Sequence, residues 1–449
     1  VFAKARALDT YAVRRERLAR QLQGATGQVA LKKKSSNLFR DRNRNGRSRL
    51  DVHDFNHILQ VDPAAGWVDA EGMTPYENLV LATLTCGVMP NVVPQLKTIT
   101  LGGAVAGVGI EASSFRYGLV HHGILEMDIL AGDGMVYLCT PHNEHRDLFL
   151  GFPNSYGTLG YALRVRARTS PVKKFVRLEH SQFNDAAGYF RGLQASCDSA
   201  ADFVDGVVFS PNELYLTTGT FADEAPFVSD YTFEHIYYRS IREKPTDYLS
   251  VHDFLWRWDT DWFWCSKNFG VQNPLVRRLA GQSRLNSRTY TRIMRWNSRW
   301  KLTQRVDALF GTQRESVIQD VDIPIARAAE FLEFFQNEIG ILPIWICPIR
   351  SPDTRTFALY PVNPAVTYVN FGFWDVVKSK KVQLPGHFNR LVERKVAQLG
   401  GIKSLYSDSY FSRPDFDAIY GGQAYRALKS RYDPQNRLHD LYDKCVLRK

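Results

Sequence analysis

Between Pro94 and Gly118 the chain reads PQLKTITLGGAVAGVGIEASSFRYG, with five glycines, five hydroxyl side chains and a single acid, Glu111. A backbone with so few bulky side chains cannot build a core from its own atoms, so something else must lie against it. Glycines at 102, 103, 107 and 109 permit positive φ and carry no Cβ to hold a ligand away, so successive backbone N–H groups can converge on phosphate oxygens. Thr98, Thr100, Ser113 and Ser114 add donors around them. The alternative is a glycine-rich turn packed on a neighbouring helix. GVGIEA at 107–112 also satisfies G-x-G-x-x-G/A, with Asp128 near the distance of a ribose-binding acid. That fingerprint requires a clean apolar strand before its first glycine, and LGGAVA stands there instead.

Around this stretch short strand and helix patterns alternate. A basic amphipathic helix is expected near 4–23, followed by QVALKKKSSNLF as a strand running into a polar turn. ILQVDPAAGWVDAEGMT reads as two strands about Asp62–Gly66, PYENLVLATLTCGVM has helical spacing, and LEMDILAGDGMVYLCT is a hairpin turning at Gly132-Asp133-Gly134. Thr140 as N-cap and Pro141 as first helical residue open a short helix, PHNEHRDLFL. NSYGTLGYALRVRART is a glycine turn leading into a strand. Near SPVKK, 170–174, the pattern changes to an aromatic block with eight of the nine tryptophans, mixing strands such as PIWICPI with helices such as IARAAEFLEFFQNEI. From about 388 the pattern is helical. The class is α+β, and 449 residues suffice for two or three domains.

Several function classes fall away. No run approaches the roughly 18 to 20 apolar residues of a membrane span, and the charged first residues do not read as a secretory signal. Six dispersed cysteines without a C-x-x-C pair imply reduced thiols and a cytosolic location. The histidine pairs 53/57, 121/122 and 142/145 lack a third ligand at a recognisable spacing, so no metal is expected. The net charge of +11 is clustered, with nine Lys/Arg and no acid over 277–305. Arg284, Arg288, Arg292, Arg295 and Arg299 recur at helical spacing beside Ile293, Met294, Trp296 and Trp300. A helix over 284–302 either presents a solvated basic face or lies peripherally on an anionic membrane. No nucleic-acid-binding module accompanies the charge.

The ordered segments KKKSSNLF, ILQVDPAAGWVDAEGMTPYENLV, VVPQLKTITLGGAVAGVGIEASS, LAGDGMV and PNSYGTLG resemble the FAD-binding domain of the vanillyl-alcohol oxidase superfamily. Within it the chain is similar to the Δ24-sterol reductase branch and the bacterial methylene-fatty-acyl reductases. QDVDIPIARAAEFLEFFQNEIGILPIWICPI and LYSDSYFSRPDFDAIYGGQAYRALKSRYDPQNRLHDLYDK extend the likeness, which runs from about residue 28 to the C-terminus. Beyond the N-terminal basic helix at 1–27, it implies a two-lobed PCMH-type FAD-binding domain at 28–172, an α+β cap (substrate) domain at 173–388, and a helical segment at 389–449 returning to the FAD domain.

By the same resemblance, Ser35, Ser36, Asn37 and Leu38 belong to the first pyrophosphate loop. Pro94, Thr100, Leu101, Gly102, Gly103, Ala104, Gly107, Val108, Gly109, Ile110, Glu111 and Ala112, with Ser113, Ser114, Tyr117 and Gly118, run along the diphosphate and ribityl chain. Gly157, Thr158 and Gly160 form the later glycine turn. Glu111 either touches the cofactor or caps a turn. Members that tether flavin covalently use a histidine in the first loop or a cysteine in the later turn; KKKSSNLFR and NSYGTLG have neither, so FAD is expected to be noncovalent.

The expected activity is FAD-dependent, NAD(P)H-driven reduction of a C=C bond in a lipophilic substrate, a methylene fatty acyl chain or a sterol-like side chain, with NADPH as donor. The alternative is an FAD-dependent oxidase or dehydrogenase of an alcohol or sugar-like substrate. Flavin carries hydride, so alkene reduction asks the protein for an acid. In LYSDSYF the candidates are Tyr406, Asp408 and Tyr410, with Tyr406 as proton donor, and QDVDIP offers Gln319 and Asp320. Each has a plainer reading as a hydrogen-bonding group at a strand end.

Overall fold

The computed structural model describes residues 2–33, 39–40, 48–300, 313–379, 381 and 383–449, with side chains described outside 2–9 and 294–300. Two large sheets dominate. The first contains β3 (Ile58–Asp62), β4 (Trp67–Glu71), β5 (Val88–Pro90), β6 (Ile124–Leu130), β7 (Val136–Cys139) and β8 (Tyr161–Pro171), in the order β3-β4-β8-β6-β7 with β5 also on β8. β1 (Val29–Lys32) and β2 (Ser48–Asp51) form a separate parallel pair.

β8 illustrates how the sequence dictates placement. In LRVRA the apolar residues Leu163, Val165 and Ala167 are buried, and Arg164 and Arg166 alternate with them, as the two-residue strand period requires. Arg164 donates to Asp69 at 2.7 Å, Glu126 at 2.7 Å and Asp128 at 3.0 Å, tying β4, β6 and β8 together. Asp128 is thereby committed to the sheet, and it also accepts from Tyr11 of the N-terminal helix, α1 (Phe2–Gln23).

The chain leaves this sheet at Pro171 and enters the second at Phe175. The second sheet holds β9 (Phe175–Phe183), β10 (Phe203–Ser210), β11 (Glu213–Ala222), β12 (Thr246–Ser250), β13 (Gln313–Pro324), β14 (Ile344–Ile349), β15 (Tyr368–Ser379) and β16 (Ile402–Lys403). Their order is β12-β9-β11-β10-β14-β15-β13-β16. β14 is buried at every position because both faces are covered. Ile344 and Ile346 join the cluster under helices 186–197 and 328–338, while Trp345, Cys347 and Ile349 face the aromatic core shared with the first sheet. The continuous apolar run PIWICPI follows from that double coverage.

One local expectation fails. Thr140 does not cap a helix: its Oγ1 accepts from His142 N at 3.2 Å and Asn143 N at 3.1 Å, closing a polar turn. The helix begins only at Arg146, with His145 as N-cap. Thr and Asn side chains compete with the helix for backbone donors, and here the turn wins. The helix expected over 284–302 runs from Ser287 to Trp300. Among the described residues no helix is long and apolar enough to cross a membrane, and no cluster of metal-ligating side chains occurs.

Candidate active site

A cavity of about 330 Å³ opens between the two sheets. One wall is the glycine stretch. Thr100, its side chain accepting from Gly103 N at 3.3 Å, caps α3 (Leu101–Ala106). None of Gly102, Gly103, Gly107 and Gly109 uses the positive φ open to glycine; in this loop Val108 takes it, at 52°. The glycines are required for close approach instead. A Cβ on Gly102 would lie 2.9 Å from Gly72 O and 3.2 Å from Ala162 O, and one on Gly109 would lie 2.9 Å from Pro94 Cγ. α3 therefore packs its backbone onto β8 and turns only glycines and alanines toward the cavity.

Of the residues assigned to the cofactor, Pro94, Thr100, Gly102, Gly103, Ala104, Gly107, Val108, Gly109, Ile110, Gly157 and Gly160 line the cavity. Gly157 lies in a turn that needs left-handed backbone, with φ of 64° at Asn154, 49° at Tyr156 and 78° at Gly157. Ser35, Ser36, Asn37 and Leu38 lie outside the described residues.

The others turn away from it. Leu101 and Ala112 belong to the core behind the wall. Ser113 Oγ donates to Asn91 O at 2.7 Å, Ser114 Oγ accepts from Glu111 N at 3.1 Å, and Thr158 Oγ1 donates to Ser155 O at 2.8 Å. Tyr117 is in hydrogen-bond contact with Ser170 at 3.1 Å, and Gly118 packs on His122. These groups shape the wall; polar side chains with a backbone partner nearby satisfy it and leave the lining to the glycines.

Glu111 also leaves the lining, for a buried ion network. Arg257 Nη2 donates to Glu111 and to Asp205, each at 2.7 Å, and Gln95 Nε2 donates to the other Glu111 oxygen. Burial pushes the Glu111 carboxyl up while Arg257 beside it works in the opposite direction. Arg257→Ala leaves two buried carboxylates without their cation, and a stability loss of about 3–5 kcal/mol is expected in chemical denaturation. A loss below about 1 kcal/mol would mean that the pair is compensated elsewhere.

The opposite wall comes from the second sheet and the C-terminal segment: Trp262, Phe263, Asp320, Trp345, Trp374, Ser404 and Tyr406. On β13, Val317, Val321 and Ile323 point to the helix-covered face, and Gln319 goes with them, donating to Asn389 Oδ1 at 2.5 Å. Asp320, one residue on, points the other way into the cavity. Gln319 is thus not in the site, and Asp320 is. Asp408 is also outside it, 3.5 Å from Arg448, whereas Tyr406 lines the cavity. Tyr410 Oη likewise accepts from Arg448, at 2.9 Å.

Tyr406 Oη accepts from Trp374 Nε1 at 3.0 Å and is hydrogen-bonded to Asp320. The Trp374 indole is stacked on Phe263 with centroids 4.2 Å apart. Burial, with Asp322 nearby adding to it and Tyr406 opposing, pushes Asp320 up to about 8. Burial and then Asp320 push Tyr406 well above the ordinary phenol value. At neutral pH both groups therefore carry protons, and Asp320 Oδ1 is buried without a hydrogen-bond partner. The aromatic members of this wall were not singled out at the level of sequence, although WRWDTDWFW and FGFWD mark them by density alone.

One wall of the cavity is rich in glycine and small side chains, and the other is an aromatic slot with one proton-bearing pair. A long dinucleotide with a flat ring fits that division. A family model described as an FAD binding domain matches residues 20–140, a span that contains the whole glycine wall. The Delta(24)-sterol reductase of Homo sapiens is 28% identical over 418 residues, covering 86% of this chain and 75% of that protein. The chain is an FAD-dependent oxidoreductase. The Delta(24)-sterol reductase of Arabidopsis thaliana is 25% identical over 447 residues, 88% of this chain and 76% of that one. Cytokinin dehydrogenase 6 of Oryza sativa subsp. japonica is 28% identical over 178 residues, 38% of this chain and 33% of that one. The glycine wall of the oxidoreductase would hold the FAD diphosphate chain, and the Trp374 and Phe263 side the isoalloxazine.

Proposed function

We propose that this oxidoreductase reduces a carbon–carbon double bond in a lipophilic substrate, using noncovalent FAD and NADPH as the electron donor. The observation that carries the proposal is the half-buried Asp320–Tyr406 pair on the aromatic wall of the cavity. Reductases among the relatives support the direction of the reaction. FAD, when bound, supplies hydride transfer.

The chain's own residues do the rest. Trp262, Phe263, Trp345 and Trp374 exclude water and offer apolar surface to an acyl chain or a sterol-like side chain. Tyr406 donates its Oη proton to the second alkene carbon, held for this by the Trp374 indole. Asp320, hydrogen-bonded to Tyr406, returns a proton to that oxygen. Among the described lining residues there is no cysteine and one histidine, His439.

A pH dependence follows. Asp320 is protonated below about 8, so turnover is expected to fall as pH rises through that value, and the limb should be absent in Asp320→Asn. Its folded-state value lies above the roughly 4 of an unfolded aspartate. Its contribution to stability is therefore full at low pH and is lost as pH rises from about 4 toward 8.

Anaerobic addition of NADPH should bleach the flavin colour, and an unsaturated lipid should restore it. The second reading, an oxidase or dehydrogenase of an alcohol or sugar-like carbon, draws on the cytokinin dehydrogenase match. Bleaching by an alcohol, or rapid recolouring by oxygen alone, would select that reading.

A further inference from the structure

Helix Pro274–Ala280 buries one charged side chain, Arg277, and leaves its leucines exposed. Arg277 is 2% exposed and donates to both Asp261 oxygens, at 2.7 and 3.0 Å. Leu275 and Leu279, each two residues away and so about 200° around the helix from Arg277, are 71% and 84% exposed. A buried arginine fixes this orientation, and Asn273 caps the helix through Leu275 N at 3.0 Å. Val276 and, on the following helix, Ile293 add exposed apolar surface.

The same excursion is attached to the cavity. Asp261 directly precedes Trp262 of the cavity wall, and Tyr290 of helix 287–300 is stacked on Trp262 with 2° between the ring planes. Arg278, Arg284, Arg288 and Arg292 are exposed on these elements. Arg278 pairs with Glu234 and Arg288 with Glu77, but exposed pairs of this kind hold their charge only weakly.

We infer that helix 274–280, with Arg288 and Arg292 beside it, docks on a bilayer containing anionic lipid, the leucines entering the headgroup boundary. The basic run without acids matches such a surface. A seven-residue helix with two leucines offers far less than the roughly 800 Å² per partner of a stable protein interface. The inference rests on the lipophilic-substrate reading for its purpose, since docking brings the cavity to the phase where such a substrate resides, but its test uses no turnover.

The full-length, flavin-loaded protein is sedimented with phosphatidylcholine vesicles, with and without about 30% phosphatidylglycerol. The expected result is binding to the anionic vesicles, weakened by salt and by at least about tenfold in the Leu275→Ser, Leu279→Ser double variant. The Arg278→Glu, Arg292→Glu variant should also bind less. Absence of wild-type binding, equal binding to pure phosphatidylcholine, or unchanged binding by the serine variant would overturn the inference. So would loss of a wild-type dimer in the serine variant with vesicle binding unchanged, which would assign the leucines to a second copy of the chain. Flavin absorbance and circular dichroism verify that each variant is folded.

Discussion

Tyr406→Phe is expected to lower alkene turnover by on the order of 10²–10⁴-fold while the purified protein stays yellow. The substitution removes one oxygen from a side chain that is otherwise unchanged in shape. That oxygen is the acceptor of the Trp374 indole at 3.0 Å and the partner of Asp320. Phenylalanine keeps the edge contact with Phe39, whose ring centroid is 5.7 Å away, so the wall itself should persist. A stopped-flow measurement separates the two half-reactions. Reduction of the flavin by NADPH should proceed nearly as in the wild type, and reoxidation by the alkene should carry the loss. Unchanged alkene turnover would remove Tyr406 as the acid, and loss in the first half-reaction alone would assign it to positioning.

Gly102→Ala is expected to yield protein with little or no bound flavin and a stability lower by about 1–3 kcal/mol. The added methyl group would meet Gly72 O at 2.9 Å and Ala162 O at 3.2 Å, both backbone atoms that no rotamer change can move. α3 would have to lift from β8, and the glycine wall is made of α3. Gly123→Ala is the control, because its nearest neighbour, Asn91 Cβ, would stand 4.0 Å away in ordinary contact. That variant should keep its colour and its melting temperature. A yellow, stable Gly102→Ala protein would show that the glycine wall has slack and does not set the fit.

How far the sequence reached depended on the range of the interactions involved. β8 and the hairpin of β6 and β7 are fixed by alternation and a glycine turn a few residues long, and both are where the pattern puts them. The helix expected from Thr140 was lost to an equally local competitor, the Asn143 and Thr140 turn. The strand order of the second sheet was not legible. β10 lies beside β14, more than a hundred residues later, and no periodicity encodes such a pairing.

The site divides in the same way. The glycines were recognisable as a wall, but their reason was not: steric approach to Gly72, Ala162 and Pro94 depends on neighbours that the sequence does not identify. QDVDIP drew attention to the right strand, yet only the register of β13 against β15, with Asp320 opposite Gly372, decides that Asp320 and not Gln319 meets the cavity. Gly372 leaves room there for the Asp320 carboxyl and the Trp374 ring.

The absorption spectrum of the purified full chain, taken before and after acid precipitation, tests the central claim most directly. The expected result is an oxidised flavin spectrum in the native protein, with the yellow chromophore released as intact FAD into the acid supernatant. A colourless protein that takes up no FAD when it is added would contradict the account.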